Sequence, residues 1–151
     1  MIKSSDDFSN VLYNLNAEQR TVVYEALKEK ILVIVKNGCD FSNVLQLLNT
    51  EQCAAACEAL DEKLSAIIKI SADFANILSV LNPEQRTVVY EALNGTLSAI
   101  VKTSGDFFNV LCYLNPEQRT VVYEALKEKL PVIVKTSEDF FHVLCCLNIA
   151  Q

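Results

Sequence analysis

The chain has no tryptophan, one methionine, one histidine, three glycines and three prolines in 151 residues. So little glycine and proline, beside 21% charged residues, excludes a linker, a low-complexity tract or a disordered tail as its main content. Basic residues are also short: 13 Lys and Arg stand against 19 Asp and Glu, a formal net charge of −6. Nucleic acid and anionic lipid both need their phosphate charge neutralised, so neither is expected as a general partner. Apolar runs such as Ile31–Val35 are five residues long, far from the roughly eighteen of a membrane span. The opening MIKSSDDF lacks the basic head and apolar core of a Sec-type leader. There is no Gly-rich phosphate loop, no HExxH, no GxSxG and no carboxylate pair set apart among apolar residues. No catalytic residue and no cofactor are expected.

Repetition is what the chain does have. Leu114–Lys129 reads LNPEQRTVVYEALKEK, nearly the same string stands at Leu15–Lys30 and Leu81–Thr96, and a diverged copy lies at Leu48–Lys63. An Asp-Phe pair precedes each copy, with Phe8, Phe41, Phe74, Phe107 and Phe140 spaced 33 residues apart. Hydrophobic residues make up 51% of the chain, enough for a core running between stacked units. The pattern predicts a single all-α helical-repeat domain over residues 1–151, a solenoid of 33-residue period. Its units fall near 4–36, 37–69, 70–102 and 103–135, with a terminal half unit at 136–151.

Each unit is expected to hold two longer helices and a short third segment. Ser5, Ser71, Ser104 and Ser137, with Gly38 in the second copy, suit the N-cap of helix A. The Asp two residues later meets the positive end of the helix dipole. From Asp106 the apolar positions Phe107, Val110, Leu111 and Leu114 follow i, i+3, i+4, i+7, one face of a helix. Asn16, Asn49, Asn82, Asn115 and Asn148 are expected to stop helix A. Asn, then Pro83 or Pro116, then Gln at the third position form a strong start for helix B. Its inward face should carry Val122, Ala125, Leu126 and Lys129 or Leu130. Pro131 and Asn94-Gly95-Thr96 break helix B. The apolar segment beyond them, such as Leu64–Lys69 or Leu130–Lys135, reads as a short helix C rather than a buried strand.

Met1-Ile2-Lys3 aligns with Ile34-Val35-Lys36, and Gln151 falls where a fifth helix B would begin. Neither end carries an evident polar cap. The expectation is a longer parent array, or ends that cover one another in a homo-oligomer through Phe140, Val143, Leu144 and Leu147.

The period is that of ankyrin, yet the Thr-Pro-Leu-His pattern and Gly-rich turns are missing; tetratricopeptide signatures are missing too. Asp106 to Leu111, Asn115 to Arg119 and Val122 to Leu126 instead fit a unit of the form DFxNVLxxLNPEQRxxVYEALKxxLPxIIK. That unit resembles helical repeats of type IV-secreted effectors of Legionella-like intracellular bacteria. The resemblance implies a helical scaffold secreted into a host cytosol, and it brings no catalytic residue with it. The second copy departs from it, with Cys53, Ala54, Ala55, Ala56 and Cys57 in place of Arg, Thr, Val, Val and Tyr.

Candidate contacts follow from the columns. Arg20, Arg86 and Arg119 share one column, and Tyr24, Tyr90 and Tyr123 lie four residues further on the same helix face. They form either a recognition stripe for a protein partner or a ladder in which Arg stacks on Tyr and bonds a carboxylate such as Glu25 or Asp40. Recurrence in register favours the ladder. Phe108 and Phe141 stand where other copies have Ser9, Ser42 and Ala75, and would anchor a partner if exposed. Asn10, Asn43, Asn76 and Asn109, with His142 in the last copy, read as buried amides that satisfy neighbouring loop backbone. The six cysteines (Cys39, Cys53, Cys57, Cys112, Cys145, Cys146) occupy unrelated columns, so they read as reduced thiols packed as small hydrophobes. Cys53 and Cys57 with Cys39 make an incomplete zinc set, and no metal is expected. His142 with Cys145 or Cys146 lacks an oxyanion hole and an orienting third group. The expected function is a non-enzymatic, cytosolic scaffold for a host protein. A structural spacer or oligomerisation module of a larger effector is the alternative. A phosphoinositide-binding module comes third and would need Lys36, Lys69, Lys102 and Lys135 as an exposed ladder.

Overall fold

A computed structural model of the chain describes residues 2–148, the last two by their backbone alone. The described residues form helices and connecting turns with no strand. The first helix A is α1 (Ser5–Tyr13), followed by α2 (Ala17–Ile34). The second copy forms α3 (Gly38–Leu45), α4 (Thr50–Leu60) and α5 (Leu64–Ile67). The third forms α6 (Ser71–Ser79), α7 (Pro83–Leu93) and α8 (Leu97–Ile100). The fourth forms α9 (Ser104–Leu111), α10 (Pro116–Leu126) and α11 (Leu130–Ile133), and α12 (Ser137–Asn148) ends the description.

Helix B starts as its sequence dictates. Asn16, Asn49, Asn82 and Asn115 accept the N–H of Gln19, Gln52, Gln85 and Gln118, whose side chains accept the Asn N–H in return. Four orphan donors per helix start are thereby reduced by two. Helix A starts one residue earlier than the sequence suggests. Ser4, Asn37 and Thr103 are the side-chain caps, and Ile70 holds that place in α6 without one. Ser5, Ser71 and Ser104 are the first helical residues and are buried. Helix A also ends three or four residues before the Asn of its copy, and α12 runs through to Asn148.

Like helices pack on like helices: α1 on α3, α3 on α6, α6 on α9, α9 on α12, and α2 on α4, α4 on α7. Between them lies the core. Phe8, Phe41, Phe74 and Phe107 are fully buried, with Leu12, Leu45, Leu78 and Leu111 one turn on. Each such ring contributes about 1.5–3 kcal/mol by leaving water. On helix B, Val122 and Leu126 are buried as expected, whereas Ala125 is exposed; the inward stripe is narrower than an i, i+3, i+4 reading implies. A 3₁₀ turn separates helix B from the short helix in three copies, at Asp61–Lys63, Asn94–Thr96 and Lys127–Lys129. In the first copy α2 runs through the same region unbroken.

Candidate functional site

The Arg column caps helix A of its own copy. Arg20 Nε–H donates to the Leu12 and Leu15 carbonyls at 3.0 and 2.9 Å, and its other nitrogen reaches the Tyr13 carbonyl at 3.2 Å. Arg86 donates to the Leu78 carbonyl at 2.9 Å and Arg119 to the Leu111 carbonyl at 3.1 Å. The Leu12, Leu78 and Leu111 carbonyls lie at the end of helix A and also accept the N–H of Leu15, Leu81 and Leu114. The guanidinium group adds a second donor there, where a cation meets the negative end of the dipole. Cys53, in the same column, points its thiol at the equivalent Leu45 carbonyl at 3.6 Å. The carboxylate partners expected for Arg are therefore replaced by backbone carbonyls. The guanidinium group of Arg86 also lies 5.5 Å from the ring centroid of Tyr113 in the next copy, within cation–π range.

Two of the three tyrosines lie deeper than the half-buried arginines. Tyr24 and Tyr90 are buried and Tyr123 is half-buried. Tyr24 O–H donates across the unit boundary to the Gln52 carbonyl at 3.4 Å, and burial pushes the Tyr24 and Tyr90 hydroxyls above their ordinary pKa. The structure thus leaves half-buried guanidinium groups on the surface and draws two of the three phenols between helices.

A second cross-unit device went unread in the sequence. Ser5 O–H donates to Asp40 Oδ1 at 2.7 Å, Ser71 to Asp106 at 2.6 Å, and Ser104 to Asp139. The other oxygen of the same Asp caps its own helix: Asp106 Oδ2 accepts the N–H groups of Lys102 and Thr103 at 3.0 and 2.9 Å. One carboxylate so fixes the start of its helix and ties it to the previous unit. Hydrogen bonds from Ser104, Lys135 and Thr136 hold Asp139 well below the usual carboxylate range. At Asp106 desolvation pushes upward, and the bonds from Ser71, Lys102 and Thr103 outweigh it. The signal in the sequence was the constant 35-residue spacing from Ser to Asp, which pairs columns rather than neighbours.

The second unit breaks this rung. Gly38 takes the serine's place, and a Cβ there would lie 2.7 Å from Asp73 Cβ. Near it, the Asn column is not buried. Asn10 and Asn76 are exposed, Asn43 and Asn109 half-buried. Asn43 donates to Asp6 at 3.3 Å and Asn109 to Ser71 at 3.2 Å, so they reach side chains of the preceding units in place of loop backbone.

Cys53, Cys57 and Cys146 are buried, and burial raises their thiols to about 12, about 12 and about 11. They are protonated and weakly nucleophilic at neutral pH. Cys39 is exposed, apart from Cys53 and Cys57 in environment. Among the described residues no three of His, Cys, Asp and Glu gather as metal ligands. Lys36, Lys69, Lys102 and Lys135 are all exposed, one per copy. No helix among the described residues is long and apolar enough to cross a membrane.

Phe108 and Phe141 lie on the surface, 39% and 63% exposed. Phe108 faces His142 with ring centroids 6.5 Å apart, tilted by 43°. Beneath Phe108 is a cavity of about 110 Å³ lined also by Leu111, Cys112, Arg119 and Cys146. A larger polar groove of about 350 Å³ adjoins it, lined by Arg86, Arg119, Tyr113 and Gln118 among others. An apolar slot between α9, α10 and α12 thus sits beside a cationic groove between α7 and α10. Compared with protein-family models, curated proteins and solved structures, the chain matches none.

Proposed function

We propose that the chain is an α-solenoid of 33-residue units and serves as a non-enzymatic scaffold for a protein partner. The supporting observation is the exposure of Phe108 and Phe141 on successive units, with Phe108 lining a slot that shares Arg119 with the Arg86–Arg119 groove. Aromatic rings left in water next to a pocket and guanidinium groups have the composition of an interface anchor. In units one to three the same column holds Ser9, Ser42 and Ala75, and the first two hydroxyls donate to backbone carbonyls of the next unit. Stacking is therefore served without phenylalanine, which leaves the rings for recognition. The fitting partner presents an apolar side chain flanked by carboxylates, matching the slot and the groove. The likeness of the units to repeats of type IV-secreted effectors points to a protein of the host cytosol, with the chain acting there after secretion.

The test is capture from eukaryotic cytosol by the parent chain and by the Phe108→Ala/Phe141→Ala double variant, with Tm matched between them. A protein retained by the parent and lost with the variant supports the scaffold reading. Retention by both overturns this site. Capture by neither favours a spacer or oligomerisation module, which the uncovered face of α12 also suggests.

A further inference from the structure

Every boundary between successive copies brings the same columns together. The leading copy offers Phe and Leu, as in Phe8 and Leu12, together with a Ser such as Ser5 in every copy but the second, where Gly38 stands. The following copy offers Asp and a β-branched residue, as in Asp40 and Val44. Val44, Ile77 and Val110 are fully buried and Val143 nearly so. Their column-mate Val11, in the first copy, is 42% exposed. The opposite end shows the converse. Phe140 is 56% and Leu144 39% exposed, whereas the same columns are buried in the four earlier copies. Ser137 is exposed where Ser5, Ser71 and Ser104 are buried, and Asp7 is exposed at the first helix. Val143 is buried against the preceding unit, so of the residues expected on the open face Phe140 and Leu144 form it; the Leu147 side chain lies outside the described residues.

We infer that the chain associates head to tail with a second copy of itself, α12 of one molecule seating on α1 of the next. Phe140 and Leu144 would cover Val11, and the Ser137 hydroxyl would donate to Asp7 of the second copy. The contact continues the interface already used by α1 on α3 and by α9 on α12, with the same columns in the same roles. Asp7 is prepared for that bond: its Oδ2 already accepts the Lys3 N–H at 2.9 Å, as Asp40 and Asp106 do at their own helix starts. The two faces differ, so the association is heterologous and adds copies without closing a dimer. The contact pairs helix A with helix A, as at the boundaries already formed. Phe141 borders this surface, since its column-mates Ser9 and Ser42 donate to the Asn43 and Asn76 carbonyls of the next unit.

Sedimentation over a range of concentrations tests the inference. The parent should gain mass steadily with no plateau at a dimer. Phe140→Glu and Val11→Glu replace exposed residues, so each should keep the parent's circular dichroism and Tm while remaining monomeric. Mixed together, the two variants retain one intact face each and should form one-to-one dimers and nothing larger. Ser137→Ala should weaken the parent's association about tenfold, the loss of one hydrogen bond to a charged acceptor. A parent that stays monomeric at the highest concentration overturns the inference. So does a dimer that Phe140→Glu abolishes and Val11→Glu leaves intact, because that marks a symmetric α12–α12 contact.

Discussion

Two glycines show how local space decides the sign of one chemical change. Both have negative φ, so alanine is conformationally permitted at either. Gly95 sits in a 3₁₀ turn with open space around the added methyl. Gly95→Ala should raise stability by about 0.4–1 kcal/mol, because it reduces the freedom of the unfolded chain. Gly38 begins α3 with Asp73 Cβ 2.7 Å from the added atom. Asp73 Cβ moves only with the backbone of α6, so Gly38→Ala should cost about 1–3 kcal/mol through overpacking. Urea unfolding of the two variants beside the parent checks both signs; equal effects would show that backbone entropy alone rules. The Arg column teaches the same lesson. Its register was legible, but its partners are carbonyls eight residues back in its own copy, which a search for opposite charge passes over.

At the scale of elements, the breaks in helix B look like the work of Pro131 and Gly95, yet the second copy breaks at Asp61–Lys63 with neither residue. Lys28-Glu29-Lys30 and Lys127-Glu128-Lys129 are identical, but the first lies inside α2 and the second forms a 3₁₀ turn. The separate turns occur in copies that have a unit before them. Lys63 donates there to the Leu32 carbonyl at 3.0 Å, and Lys129 to the Ser98 carbonyl. The bend belongs to packing against the previous unit, and Pro131 occupies the second position of α11, where it removes no intrahelical bond. Pro131→Ala should therefore leave far-ultraviolet circular dichroism at 222 nm unchanged within about 5%, the straightening of a single turn being excluded. A clear gain in helical signal would return the break to proline.

Across the whole molecule, position in the stack outranks residue identity. Phe74 and Phe140 open the same sequence motif, but one is fully buried and the other more than half exposed. Phe74→Ala should cost about 3–5 kcal/mol, the range for emptying a core aromatic site. Phe140→Ala in dilute solution should change stability by less than about 1 kcal/mol. Thermal and urea denaturation of both variants gives the comparison, and similar losses would mean that α12 is covered within the monomer. Ion pairs carry little of this stability. Lys28–Glu25 and Lys127–Glu124 are exposed i, i+3 pairs, screened by water and salt.

By itself the sequence determined the helical class, the start of every helix B and the apolar face of helix A. Those depend on residues within one or two turns of each other, where capping chemistry and a 3.6-residue period act without help from distant contacts. Helix A's true caps were harder to read, because serine serves equally well as a cap and as a cross-unit donor. Only the tertiary structure decided which serine did which, that the arginines cap carbonyls while two tyrosines are buried, and that Phe108 and Phe141 meet water. Those outcomes depend on which column of the neighbouring unit lies opposite. Burial and hydrogen-bond satisfaction are properties of the stacked pair, and a column read alone carries no record of its partner.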